Sequence, residues 1–192
     1  MQKNRLEAFS DGVLAIVITI MVLELKAPES TQWTALRKLA PIFLSYVLSF
    51  IYVGIYWNNH HHLLHTVKRV SAPMLWANLH LLFWLSMFPF ATAWAGEHHD
   101  APAPSALYGF VLLMAAIAYY ILQLTIVSKQ GRDATLAKAL GRDWKGKLSP
   151  VVYLIAIPMS YVNVWAADML YVLIAMVWVI PDRRIERQLS EE

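Results

Sequence analysis

The stretch RLEAFSDGVLAIVITIMVLEL, Arg5 to Leu25, decides how the whole chain is read. It is apolar enough for a membrane helix, yet only twelve uncharged residues separate Asp11 from Glu24. At about 1.5 Å per residue they cover about 18 Å of a hydrocarbon core about 30 Å thick. Arg5, Glu7, Asp11 and Glu24 then fall at or near membrane depth, where a charge is expensive unless it is buried in protein or bathed by pore water. A helix shielded by protein, with wetted ends and an apolar middle, suits the wall of a narrow pore.

The remaining sequence places that helix in a bundle. Of the 192 residues, 58% are hydrophobic and 15% charged, and the apolar ones fall into long runs, the pattern of a polytopic all-α membrane protein. Runs near 8–25, 39–59, 74–95, 105–127, 150–167 and 168–181 predict six transmembrane helices in a single domain, 1–192. The last two are taken apart because Leu148 to Pro181, as one helix, would be about 51 Å long. Only Pro158, Asn163 and Asp168 interrupt that run.

Charge in the connections sets the orientation. His60 to Pro73 carries Lys68 and Arg69, Ser128 to Ser149 carries six Lys or Arg, and the tail beyond Pro181 carries Arg183, Arg184 and Arg187. The connections GEHHDAPAPS (96–105) and Asn163 to Asp168 carry none. The positive-inside rule puts both termini and both basic loops in the cytoplasm, with the chain multi-pass in the cell membrane. Six spans satisfy this, whereas five would leave the basic tail outside. The first outer loop, with Lys26, Arg37 and Lys38, is the exception. Trp33, Trp57, Trp76, Trp94, Trp144 and Trp165 fall near the expected interfaces, as an aromatic belt does. The segment 132–145 reads either as a short interfacial amphipathic helix or as a plain connecting loop. The net charge of +3 is therefore topological, and no nucleic-acid signature is present. The absence of cysteine excludes disulfides, thiolate metal sites and thiol nucleophiles. No cleavable signal is expected, so the first span stays in the mature protein.

Within the first span, Ile16, Thr19, Ile20 and Leu23 recur at i, i+3, i+4 and i+7 and form one stripe, with Gly12 a turn below. Two readings stand. The stripe packs on other helices of its own subunit, with Thr19 bonded to the Ala15 carbonyl, or it faces a pore. The charges at both ends favour the pore.

The motif Arg-x-x-x-Phe-Ser-Asp, here Arg5, Phe9, Ser10 and Asp11, followed by Gly-Val-Leu-Ala-Ile-Val-Ile-Thr, resembles the start of the transmembrane protein 175 potassium channel family in its single-repeat prokaryotic form. YWNNHHHLL (56–64) and WANLHLLFWLSMFPFAT (76–92) reinforce it. The resemblance implies a homotetramer of six-helix subunits whose four first helices line a central cation pathway; animal relatives fuse two such repeats and dimerise. It also implies a hydrophobic constriction at Ile16, Ile20 and Leu23, where rings of branched side chains expel water and leave an ion nothing to replace its hydration. Thr19 matches a polar layer linked to potassium preference, so potassium ions are expected near it. No Thr-Val-Gly-Tyr-Gly filter occurs, and selectivity for potassium over sodium should be modest. Arg5, Ser10 and Asp11 are expected in a structural network with Trp57, Asn58, Asn59, His60 and His80, with Phe9 packed as an anchor. The implied partners are further copies of the chain, membrane lipid and potassium ions.

The run NNHHHLLH invites a metal reading, because His61 and His65 at i, i+4 have zinc-ligand spacing. A matching second cluster is missing, so no tightly bound metal, no cofactor and no enzymatic activity are expected. A proton- or cation-coupled carrier is the alternative function. It would be favoured by internal repeats and by helices unwound at Gly or Pro near the midplane; Pro89 and Pro158 are the candidate interruptions.

Overall fold

A computed structural model describes residues 3–67, 69–130 and 144–179. Every regular element among these residues is helical: α1 (Lys3–Leu23), α2 (Trp33–Lys38), α3 (Ala40–His65), α4 (Ala72–Ser86), α5 (Phe88–Glu97), α6 (Pro102–Gln130), α7 (Trp144–Met159) and α8 (Val164–Val179). Lys3–Leu23, Ala40–His65, Ala72–Glu97 and Pro102–Lys129 are long and apolar enough to cross a membrane, and Val164–Val179 is a shorter apolar helix. The chain is a multi-pass membrane protein. Most of 132–145, including the whole candidate amphipathic stretch up to residue 143, and the basic tail lie outside the described residues.

Proline sets several of the boundaries. Pro41, Pro73 and Pro89 sit in the first turns of α3, α4 and α5, where a missing N–H loses nothing. Pro89 falls inside the run expected at 74–95. It cannot donate to the Leu85 carbonyl, so the run divides at Met87 into α4 and α5, which continue as one span.

Several expected boundaries move, and the fifth expected helix, α7, starts at Trp144 instead of 150. The first helix begins at Lys3 instead of residue 8, so the whole Arg5–Asp11 motif is helical. The second continues to His65 instead of ending at 59, which puts Asn59 to His62 on a helix and not in a connection. The last pair divides at 160–163, not at 167/168. Asn163 Oδ1 accepts the Ala166 N–H at 3.1 Å and caps α8, so the helix starts four residues before the expected site and takes Asp168 into its second turn.

α6 forms the centre of the core. Leu112, Ala115, Ala118 and Leu122 are fully buried there, and the two alanines let α4 and α7 approach closely. α1 rests on α3, α4 and α5, and α8 closes the far side against α7, α3 and α6. Gly96 on α5 lies close against α3, where an added Cβ would lie 2.9 Å from the Ile42 Cα. Gly54, in contrast, has nothing within 4 Å of an added Cβ. Gly96→Ala should therefore lower stability by about 1–3 kcal/mol, as overpacking does, while Gly54→Ala is neutral or slightly stabilising. Thermal unfolding of the two purified variants beside the parent checks the contrast; equal melting points would mean that α5 and α3 do not meet this closely.

Candidate functional site

The two faces of α1 have different surroundings. Leu6, Ser10, Leu14, Val17 and Met21 are buried against α3, α4 and α5. At 100° per residue the stripe Ile16, Thr19, Ile20 and Leu23 points about 130° away from the centre of that buried face. Accordingly Ile16 is 59% exposed, Ile20 42% and Leu23 73%, and Thr19 is exposed too. The stripe does not pack within its own subunit. An exposed apolar face is ordinary where lipid covers it, but this one also carries Arg5 and Gly12, both exposed, in line with the stripe. A cation and a hydroxyl along one line are poorly suited to hydrocarbon.

Thr19 Oγ1 donates to the Ala15 carbonyl at 2.8 Å. Its proton is thereby committed to the backbone, and the oxygen lone pairs are left to the exposed side. The hydroxyl is oriented to accept, which is what a ligand of a cation must do.

The rotation of α1 is fixed by a buried chain of hydrogen bonds. Ser10 Oγ donates to the Leu6 carbonyl at 2.9 Å and accepts from Asn78 Nδ2 of α4 at 3.0 Å. Asn78 Oδ1 lies 2.6 Å from His60 Nε2 of α3; an amide oxygen only accepts, so the imidazole donates from Nε2. Ser10 and Asn78 are wholly enclosed and His60 nearly so. At the edge, Trp57 Nε1 donates to Asp11 Oδ1 at 3.0 Å and its ring stacks on His61. Lys3 Nζ bonds the His65 carbonyl at 3.2 Å and pairs with Glu7 at 3.7 Å. Three helices are thus joined at one end of the bundle.

Of the expected network, Ser10 and His60 are brought together, as are Asp11 and Trp57. The other members are placed elsewhere. Asn59 donates to the Ile55 carbonyl of its own helix, and its own carbonyl receives the Tyr119 hydroxyl of α6. Asn58 is exposed and makes no hydrogen bond to the cluster among the described residues, and His80 accepts from Trp84 of its own helix at 3.0 Å, turned away from Ser10. Phe9 is 52% exposed and does not anchor α1 within the subunit, because it shares the face of Ile16 and Ile20. Arg5 also lies on that face, and no hydrogen bond or ion pair holds it among the described residues. The sequence reading missed Asn78, the central link. Its signal was available: an amide in the middle of WANLHLLFW must find partners at membrane depth. His61 and His65 have ring centroids 4.7 Å apart, and among the described residues no group of three His, Cys, Asp or Glu is placed to hold a metal ion.

Residues 5–89, which contain α1, α3, α4 and the whole Ser10–Asn78–His60 chain, match the family described as endosomal/lysosomal potassium channel TMEM175. A potassium channel of Chryseobacterium sp. (strain P1-3) is 54% identical over 191 residues, covering 100% of both chains. A potassium channel of Streptomyces collinus is 35% identical over 129 residues, 63% of each chain. The crystal structure of a lysosomal potassium-selective channel TMEM175 homolog from Chamaesiphon minutus superposes with a TM-score of 0.81 at 28% identity, covering 93% of this chain and 96% of that one. The chain belongs to the TMEM175 potassium channel family.

Proposed function

We propose that the chain forms a potassium-permeable cation channel with a modest preference for potassium over sodium, built as a homotetramer of six-span subunits in which four α1 helices line the pathway. The observation that carries this reading is the exposed stripe Ile16, Thr19, Ile20 and Leu23, left uncovered by its own subunit while the opposite face of α1 is locked. The names of the relatives support the ion. Ile16, Ile20 and Leu23 act as a dewetting constriction, and four Thr19 hydroxyls, each with its proton held by Ala15, offer oxygen to a partly dehydrated potassium ion. α7 and α8 count as the fifth and sixth spans, which keeps both termini cytoplasmic. The partners are membrane lipid, permeant potassium and the other subunits; no cofactor and no catalytic step enter. Phe9 and Arg5, exposed on the same face as the stripe, find their packing and charge partners across subunit boundaries.

Assembly is the first test. Native mass spectrometry of the purified protein should return a tetramer, and a uniform monomer would remove the pore, since one α1 encloses nothing.

Flux through the stripe is the second. In liposomes, Ile16→Ser, Ile20→Ser or Leu23→Ser should raise potassium flux by about tenfold or more, because a wetted ring lowers the barrier that an apolar ring imposes. Thr19→Val keeps the shape and should reduce potassium-over-sodium preference while leaving assembly intact. Each variant is normalised to assembled protein. Unchanged flux and ion preference in all four would move the pathway off this face and favour the carrier, whose structural support is the break at Met87.

The buried chain gives the third. Asn78→Leu strands the His60 N–H and withdraws the donor to Ser10, at a cost of about 1–3 kcal/mol for each buried group left unpaired. Melting temperature and tetramer yield should fall together, with the ion preference of surviving channels unchanged. A stable variant with altered preference would put Asn78 in the ion path.

A further inference from the structure

A second site lies at the opposite end of the bundle from the Ser10–Asn78–His60 chain, away from α1. A cavity of about 460 Å³ opens between the first turns of α3, the end of α5, and the starts of α6 and α8. That volume is in the range of small-molecule sites. Its walls are mostly apolar, with Leu48, Ile51, Met169 and Val172 among them, and the exposed Trp165 also lines it. Among the described residues no Lys or Arg lines it.

One carboxylate does. Asp168 is five residues beyond the Asn163 cap, about 7.5 Å along α8. Its Oδ1 accepts from Ser105 Oγ at 2.6 Å, and Oδ2 has no hydrogen bond among the described residues. The hydroxyls nearest to it already have partners, and the imidazoles of His98 and His99 also line the cavity. Tyr171 OH donates to the Ser105 carbonyl at 3.2 Å, Tyr108 OH is bonded to Ser49 at 2.9 Å, and His99 Nε2 faces Asp100 at 3.5 Å. A carboxylate on a largely apolar cavity wall, without a Lys or Arg partner among the described residues, is a costly arrangement that a ligand cation relieves.

We infer that this cavity binds an organic ammonium ion with an apolar body, its charged group on Asp168 beside Trp165 and its chain along α3 and α8. The walls choose among cations. A potassium ion would leave the apolar surface of Leu48, Ile51 and Val172 unfilled, whereas an alkyl chain covers it and removes it from water. A zwitterionic lipid brings a phosphate as well as an ammonium, and the lining offers that phosphate no Lys or Arg. The Trp165 indole adds a face suited to an ammonium group. The site is independent of whether α1 lines a pore, since no α1 residue contributes to it.

The test is photolabelling of the full-length protein in phosphatidylcholine nanodiscs with a diazirine-bearing alkylamine, mapped by peptide mass spectrometry. Label should concentrate on 41–51 and 165–172, and excess decylamine should compete it while decanol and potassium chloride at equal ionic strength do not. Asp168→Asn keeps an acceptor for Ser105 Oγ and should weaken labelling by about fivefold, the upper end for one partly screened ion pair. Leu48→Trp fills the cavity with the carboxylate intact and should abolish labelling, so the test survives if the first variant fails to fold. Nanodiscs containing phosphatidylethanolamine distinguish the source: loss of labelling there assigns the site to a lipid ammonium and overturns the choice of a free amine. Equal labelling in Asp168→Asn, competition by decanol or potassium, or label spread evenly over the lipid-facing helices would overturn the site itself.

Discussion

A single buried hydroxyl governs the arrangement of this subunit. Ser10 is fully enclosed between helices, where an unpaired polar atom is penalised. Its proton goes to its own helix, so its oxygen must accept from elsewhere, and among the described residues the Asn78 amide is the donor that reaches it. That fixes which way the amide points, which in turn fixes the donor on His60. The chain of bonds runs in one direction across α1, α4 and α3, and it holds only at one rotation of α1. A turn of the helix by one residue, about 100°, would carry Ser10 out of the interior and the isoleucine stripe into it. The exposed face is therefore a consequence of the buried one.

This explains how much of the molecule could be read from its sequence. Apolar run lengths and loop charge are properties of the chain against a bilayer, so the four long apolar helices came out in the right order and close to their places. The stripe Ile16, Thr19, Ile20 and Leu23 was visible through helical spacing alone. Which way the stripe faces was not, because periodicity marks a face without saying what covers it, and both readings used the same four residues. The decision came from the other side of the helix, where Leu6, Ser10, Leu14, Val17 and Met21 are buried.

Where sequence reasoning failed, the competing effect was local. His80 and Asn59 each had a partner on their own helix four residues away, Trp84 for one and the Ile55 carbonyl for the other, and these near partners took precedence over the distant cluster. Asn163 looked like the beginning of a connection, yet its side chain served as a cap and started α8 early. Phe9 lies within the recognised motif, but its place on the helix puts it with the stripe and not with Ser10. A motif names residues that occur together; it does not require that they touch one another inside one subunit.

The restraints on α1 are also uneven along its length, and this bears on how a constriction made by it can widen. Its first half is held by directional bonds: Lys3 to the His65 carbonyl, Ser10 to Asn78, and Asp11 to Trp57. Beyond Asp11 the buried contacts are Leu14, Val17 and Met21, and the hydroxyl of Thr92 comes no closer than 4.0 Å to the Met21 sulfur. Hydrogen bonds between side chains fail over a few tenths of an ångström and a few tens of degrees. Apolar contacts are non-directional, and a methionine adapts to a shifted neighbour at little loss. Movement of α1 is thus easiest as a swing about the Ser10 end, which displaces Leu23 more than Ile20 and Ile20 more than Ile16. In the proposed tetramer, a stripe arranged along such a lever would open first at Leu23, and Ile16, closest to the pinned end, would be the last to part from its counterparts.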